Sequence, residues 1–171
     1  LYLVGSVDVY KRQPLVCLMT SSFARANLSP QLEQYLNQRE AEFNQIDPAR
    51  RLVLEPLAKA LAQKLQGDKD PVDVTFVCTH NSRRSHMSQL WMKAAAESLQ
   101  LPLTTWSGGT ESTAMNPRAV ASLRRAGFEI TQTTKNRNPI YHVSMGKDAP
   151  TQTCFSKPWS SPPNPTSNFF A

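Results

Sequence analysis

Two stretches between residues 29 and 68 carry the residue spacing of an α-helix. The first follows Ser29-Pro30, a capping residue and a proline suited to the first helical turn. Asp47-Pro48 repeats this start signal, and Pro56 either kinks the second helix or marks a restart. The residues at helical intervals are Leu32, Tyr35, Leu36, Arg39 and Phe43, then Leu54, Leu57, Ala58, Leu61 and Leu65. This pattern predicts a helical pair over residues 29–68, which packs against the rest of the chain, caps it or forms a dimerisation hairpin.

After a linker at residues 67–71, strand and helix patterns alternate. β-Branched residues over 72–77 predict a strand, and residues 103–106 and 140–145 predict two more. The helix after the first strand carries apolar side chains at helical spacing, namely Met87, Leu90, Trp91, Ala94 and Ala95. Asn116-Pro117 predicts the start of a further helix, with Gly127 closing it in a left-handed conformation.

Alternation of this kind favours a parallel sheet with helices on its faces, because parallel strands need crossover connections. We therefore expect an α/β domain over residues 71–150, with three layers. In open α/β sheets, ligands bind at the carboxyl ends of the strands. The loop that follows residue 77 is thus the expected place for chemistry.

The two ends of the chain give different expectations. Residues 1–28 predict irregular structure, and residues 1–13, which lack a starting Met and a signal-peptide pattern, suggest a non-native origin. Residues 151–171 are rich in proline, serine and asparagine and predict an irregular tail. The start of the chain suggests a fragment of a longer protein.

Composition narrows the function classes. The 171 residues suffice for one domain with a modest core, and the net charge of +6 suggests an anionic ligand. Nucleic acid is not expected, because the basic pairs at 50–51, 83–84 and 124–125 are scattered and lack interleaved aromatic residues. No apolar stretch is long enough to span a membrane.

Cysteine usage points to a reduced, cytoplasmic setting. The three cysteines, Cys17, Cys78 and Cys154, are odd in number and far apart, unlike a disulfide framework. A metal site is not expected, because there is no Cys-x-x-Cys pair and His80 and His86 have no second ligand pair. No cofactor is indicated.

The segment Cys78-Thr79-His80-Asn81-Ser82-Arg83-Arg84-Ser85 has the composition of an anion-binding loop with a nucleophile. A short loop between a strand and a helix turns backbone N–H groups inward, and the helix N-terminus adds partial positive charge. These groups and Arg84 stabilise a Cys78 thiolate, Arg84 can grip two oxygens of a tetrahedral anion, and Ser85 can donate to the sulfur. The alternative is that Cys78 is only a small apolar residue closing a buried strand.

The chain resembles the low-molecular-weight protein tyrosine phosphatases and the thioredoxin-coupled arsenate reductases that share their fold. The resemblance covers residues 72–147. It rests on Phe76-Val77-Cys78-Thr79-x-Asn81-Ser82-x-Arg84-Ser85-x-Met87, Ser107-Gly108-Gly109-Thr110 and Asn116-Pro117-Arg118-Ala119-Val120. It implies a flavodoxin-like parallel sheet that is incomplete at the carboxyl end of this chain, so that a fragment with an open sheet edge and weak or no turnover is expected.

The resemblance also implies roles for the loop residues. Cys78 would attack phosphorus to form a phosphocysteine, Arg84 would hold the equatorial oxygens, Asn81 would fix the loop, and Ser85 would partner the thiolate. Thr79, His80, Ser82 and Arg83 would complete the phosphate cradle. Two positions depart from the family: His80 stands where glycine is usual, and Arg83 where cysteine is frequent.

Three functions remain open. The first is a phosphatase for phosphotyrosine or a small aryl phosphate, whose family acid, a late Asp-Pro, is absent; Asp148 is expected to be a surface turn. The second is an arsenate reductase linked to thioredoxin, for which Cys154 is the candidate second thiol. The third is an inactive binder of phosphate or a phosphoprotein.

Overall fold

The computed structural model describes residues 28–67 and 70–171. In chain order its elements are helix α1 (Pro30–Glu40), a 3-10 turn (Phe43–Gln45), helix α2 (Pro48–Gly67), strand β1 (Val72–Cys78), helix α3 (Arg84–Ser98), strand β2 (Leu103–Gly109), helix α4 (Pro117–Arg125) and strands β3 (Glu129–Gln132), β4 (Tyr141–Ser144), β5 (Gln152–Cys154) and β6 (Phe169–Phe170). The expectations for residues 1–27, including Cys17, lie outside the described residues.

The start signals of α1 and α2 are confirmed. The Ser29 side chain accepts a hydrogen bond from the Leu32 N–H at 3.4 Å, and Asp47 Oδ1 accepts one from the Ala49 N–H at 2.7 Å. Pro56 lies inside α2, which continues through it as one helix. The predicted helical pair therefore forms, each helix starting at its capping residue.

A parallel sheet forms the centre of the α/β part. Its strand order is β2-β1-β6, with both neighbours parallel to β1. Strand β2 runs to Gly109, three residues beyond the predicted end at 106, because Gly109 continues the ladder opposite Cys78. With its flanking helices this sheet confirms the expected α/β class, and it brings the ends of β1 and β2 to the same edge.

The strand predicted at residues 140–145 forms as β4, but it is not part of the parallel sheet. It pairs antiparallel with β3 and β5 in a second sheet of order β3-β4-β5. The segment between β3 and β4 contains no helix, and the Thr133 N–H donates to the Ile140 carbonyl at 2.8 Å to close a hairpin. Without a crossover helix, consecutive strands pair antiparallel, so the prediction of one parallel sheet was wrong here.

The predicted irregular tail contains regular pairing. Strand β5 joins the second sheet and buries Cys154 completely, while β6 pairs with Asp73 and Val74 of β1. Between them, Pro158 forms a parallel bridge with Gly109. The proline-rich composition concealed these contacts because each spans only one to three residues.

The N-terminal helices pack against the α/β part. Leu32 of α1 is fully buried in the main core, and the Tyr35 ring stacks on Trp91 with centroids 5.0 Å apart, while Trp91 meets Phe128 edge-on at 4.9 Å. Gly127 has φ +106°, as predicted, and a Cβ there would lie 2.6 Å from the Leu32 nitrogen. Leu61 of α2 joins a second cluster with Val72, Val74, Ala96 and Leu103.

Within the two described ranges, no helix combines the length and apolar character needed to cross a membrane.

Candidate functional site

The Cys78 loop, residues 78–85, connects the end of β1 to the first turn of α3. Its outer side is held by the segment after β2, whose N–H groups donate to the loop carbonyls. Thr110 donates to the Cys78 carbonyl at 3.1 Å, Glu111 to that of Thr79 at 2.8 Å, and Asn116 to that of Ser82 at 2.8 Å. Because the carbonyl and the N–H of one trans peptide point in opposite directions, holding these carbonyls outward turns the loop N–H groups inward.

The Cys78 sulfur lies among hydrogen-bond donors. Its Sγ is 3.1 Å from Ser85 Oγ. Burial opposes ionisation of the thiol, but hydrogen bonds from the Ser85 hydroxyl and from the N–H groups of Ser85, Ser82 and Asn81 outweigh it, so the pKa of Cys78 is lowered. The sulfur is therefore disposed to act as a thiolate.

Asn81 links the loop to two other segments. Its φ of +44° is left-handed, a conformation that asparagine tolerates. His80, which stands at the position of the family's glycine, does not adopt a left-handed conformation. Asn81 Nδ2 donates to Ser85 Oγ at 2.8 Å, and Asn81 Oδ1 accepts from the Lys157 N–H at 2.9 Å. Since Ser85 Oγ accepts from Asn81, the serine proton remains available for the Cys78 sulfur.

Above the sulfur lies a pocket of about 330 Å³. It is lined by Cys78, His80, Ser82, Arg83, Arg84 and Thr113. His80 Nε2 faces Glu111 Oε2 at 3.4 Å, and both side chains are more than half exposed. The pocket thus joins one thiol to two guanidinium groups, a combination suited to a tetrahedral anion.

Gly109 allows β2 to approach the loop closely. A Cβ at this position would lie 2.7 Å from the Asn81 nitrogen and 2.7 Å from the Thr79 oxygen, and would collide with the Glu111 carbonyl. These neighbours are backbone atoms, which cannot swing aside as a side chain can. Only glycine fits here without displacing the loop.

The structure brings the predicted residues together to different degrees. Of the eight predicted residues from Cys78 to Ser85, five line the pocket. Asn81 and Ser85 are buried and bonded to each other, and Thr79 accepts a hydrogen bond at the outer side of the loop. The sequence reasoning missed Thr113, Ser156 and Lys157. Thr113 belongs to the turn after β2, and the other two lie in the tail, where no motif marked them.

The two remaining candidate residues lie elsewhere. Cys154 is fully buried in β5, and burial raises the pKa of its thiol to about 12. Asp148 is exposed and is not among the residues lining the pocket.

His86 lies in the protein interior. It is fully buried, its Nδ1 lies 3.1 Å from Ser107 Oγ, and burial, reinforced by the charge of Lys157, lowers its pKa to about 3. Among the described residues, no three His, Cys, Asp or Glu side chains gather as a metal site would require.

The chain is thus an α/β protein whose Cys78 lines a pocket together with two arginines. The family model for low molecular weight phosphotyrosine protein phosphatases matches residues 73–144. That region of the chain is therefore similar to these phosphatases.

Individual relatives match a stretch of similar length. An arsenate reductase 2 from Staphylococcus haemolyticus is 34% identical over 68 residues, which are 39% of this chain and 49% of the relative. An arsenate reductase from Bacillus licheniformis is 36% identical over 63 residues, 37% of this chain and 43% of the relative. The chain therefore spans about half the length of the curated relatives it matches. No solved structure matches.

Proposed function

We propose that the chain is a cysteine-dependent phosphatase acting on phosphotyrosine or a small aryl phosphate. The observation that carries this proposal is the position of the Cys78 sulfur, which lies 3.1 Å from Ser85 Oγ and lines the same pocket as Arg84. A thiolate below a two-arginine pocket suits attack on phosphorus better than a structural role.

The reaction has two displacements. The Cys78 thiolate attacks phosphorus, the bond to the aryl oxygen breaks, and a phosphocysteine forms. Water then attacks the same phosphorus, the P–S bond breaks, inorganic phosphate leaves, and the thiolate returns. Arg84 and the inward amides hold the three oxygens in both steps, and Ser85 stabilises the sulfur as it departs.

The substrates that the chain can cleave depend on whether an acid protonates the leaving oxygen in the first displacement. None of the six residues that line the pocket is Asp or Glu. We therefore expect this chain to act fastest on aryl phosphates whose oxide leaves without a proton, and to turn over slowly on phosphotyrosine and on alkyl phosphates.

The test is a rapid-mix assay with p-nitrophenyl phosphate. We expect a burst of p-nitrophenolate near one equivalent, followed by a slow steady rate, and the Cys78→Ser variant should show neither. A wild-type protein that binds phosphate but gives no burst would refute the phosphatase and favour an inactive phosphate binder.

Arsenate reduction is the second candidate, favoured by the names of the matched relatives. Here the Cys78 sulfur displaces a hydroxyl of arsenate as water and forms an S–As bond. A second thiol attacks that sulfur, the S–As electron pair passes to arsenic, and arsenite leaves as the two thiols become a disulfide, which thioredoxin then reduces. Cys154 would have to leave its buried position to act as that thiol. Arsenate-dependent oxidation of thioredoxin identifies this reaction, and its absence excludes it.

For either reaction we propose a reduced, cytoplasmic setting. A phosphorylated protein or a small oxyanion would be the substrate, with thioredoxin a partner only of the reductase. The reactive Cys78 thiolate requires such a setting, because oxidation would remove the nucleophile.

A further inference from the structure

The carbonyl of His80 is held from two sides. Thr113 Oγ1 donates to it at 3.1 Å and Ser156 Oγ at 2.9 Å. Ser156 Oγ in turn accepts from the Thr113 N–H at 2.8 Å. One buried hydroxyl therefore joins two segments that line the pocket.

The Ser156 hydroxyl is fixed in position and direction. Ser156 is 2% exposed, its N–H donates to Asn138 Oδ1 at 3.1 Å, and its carbonyl accepts from Asn138 Nδ2 at 2.7 Å. Because its oxygen already accepts from Thr113, its proton points to the His80 carbonyl. The adjacent Lys157 N–H binds the Asn81 side chain at 2.9 Å, so the segment is attached to the loop twice.

The His80 carbonyl and the Asn81 N–H belong to the same planar peptide, and they point in opposite directions. The Asn81 N–H is one of the donors to the Cys78 sulfur. Hydrogen bonds that hold the carbonyl outward therefore hold that N–H toward the sulfur. Without them this peptide loses the two hydrogen bonds that hold its carbonyl, and its N–H is less firmly directed toward the sulfur.

We infer that Ser156 is a positioning residue for Cys78, acting through the His80–Asn81 peptide. It lies outside residues 73–144, the region that matches the family. The inference rests on the proposed role of Cys78 as a nucleophile, but it concerns the state of the sulfur and not the identity of the substrate.

The test compares Ser156→Ala with Ser160→Ala, an exposed serine in the same segment. The readout is the rate of alkylation by iodoacetamide between pH 4 and 9, followed for the Cys78 peptide by mass spectrometry. We expect Ser156→Ala to move the midpoint of the pH profile upward and to slow alkylation at pH 6 by about three- to tenfold, the effect of one hydrogen bond. The rate at high pH and the Ser160→Ala profile should match the wild type.

A role in stability alone would lower the unfolding midpoint of Ser156→Ala and leave its pH profile unchanged, and that result would overturn the inference. Thr113→Val is a second variant for the case in which Ser156→Ala does not fold. Thr113 is exposed, and its hydroxyl is the other donor to the His80 carbonyl. An unshifted profile for Thr113→Val would equally overturn it. Alkylation needs no turnover, so a shifted profile without hydrolysis of any phosphate ester supports the inference while refuting the phosphatase.

Discussion

Replacing Gly109 by alanine tests whether the close approach of β2 is what shapes the Cys78 loop. The new Cβ would lie 2.7 Å from the Asn81 nitrogen, whereas ordinary van der Waals contact begins at 3.4 Å. The backbone must therefore open by at least 3.4 − 2.7 = 0.7 Å at this point, because the Glu111 carbonyl lies closer still. Such overpacking costs about 1–3 kcal/mol of unfolding free energy, and a displacement of this order in a catalytic group can lower a rate by about 10²-fold.

Two measurements check the prediction for Gly109→Ala. Urea unfolding should give the stability loss, and the p-nitrophenolate burst should give the rate loss. Gly67→Ala is the matched control, because a Cβ at Gly67 meets nothing within 4 Å and alanine should stabilise the end of α2 by up to about 1 kcal/mol. If Gly109→Ala unfolds like the wild type and keeps its burst rate, the close-approach argument is wrong.

Three further predictions concern the loop and its surroundings. Ser85→Ala should raise the pKa of Cys78 and slow release of the phosphocysteine by about tenfold, measured as the steady rate after the burst; an unchanged pH profile would contradict this. Arg84→Lys should lower kcat/KM by about 10²-fold because lysine cannot form the two-pronged contact, while Arg83→Lys should cost much less, and equal losses would count against the assignment. His86 has a pKa of about 3 in the folded state against about 6.5 when unfolded, so the unfolded state binds more protons and stability should fall as pH drops from 6.5 toward 3, by up to about 5 kcal/mol. His86→Gln should flatten this part of the pH–stability curve, and a parallel curve would assign the effect to other groups.

The sequence predicted the parts of the fold that depend on neighbouring residues. Ser29 and Asp47 cap their helices within two or three residues, and Gly127 adopts its left-handed conformation next to the helix that it ends. The order of strand, Cys78 loop and helix is local in the same sense. Such signals are visible in one sequence because both partners lie within one turn of chain.

What the sequence did not predict depends on contacts between distant segments. The pairing direction of β4 depends on a hairpin that periodicity alone does not reveal, and β6 has only two residues. Ser156 reaches the loop across 76 positions, within a tail whose prolines favoured irregular structure. A serine has no spacing or charge that marks it for such a contact, so only the three-dimensional arrangement identifies it.

The aromatic stack between α1 and the core limits how far this protein can be truncated. Tyr35 covers Trp91, which covers Phe128, yet Tyr35 lies well before residue 73, where the family match begins. A chain cut to residues 73–144 would leave the Trp91 ring without its contact to Tyr35 and would also lose β5. The smallest piece expected to fold alone therefore begins before Ser29, although its chemistry begins at Cys78.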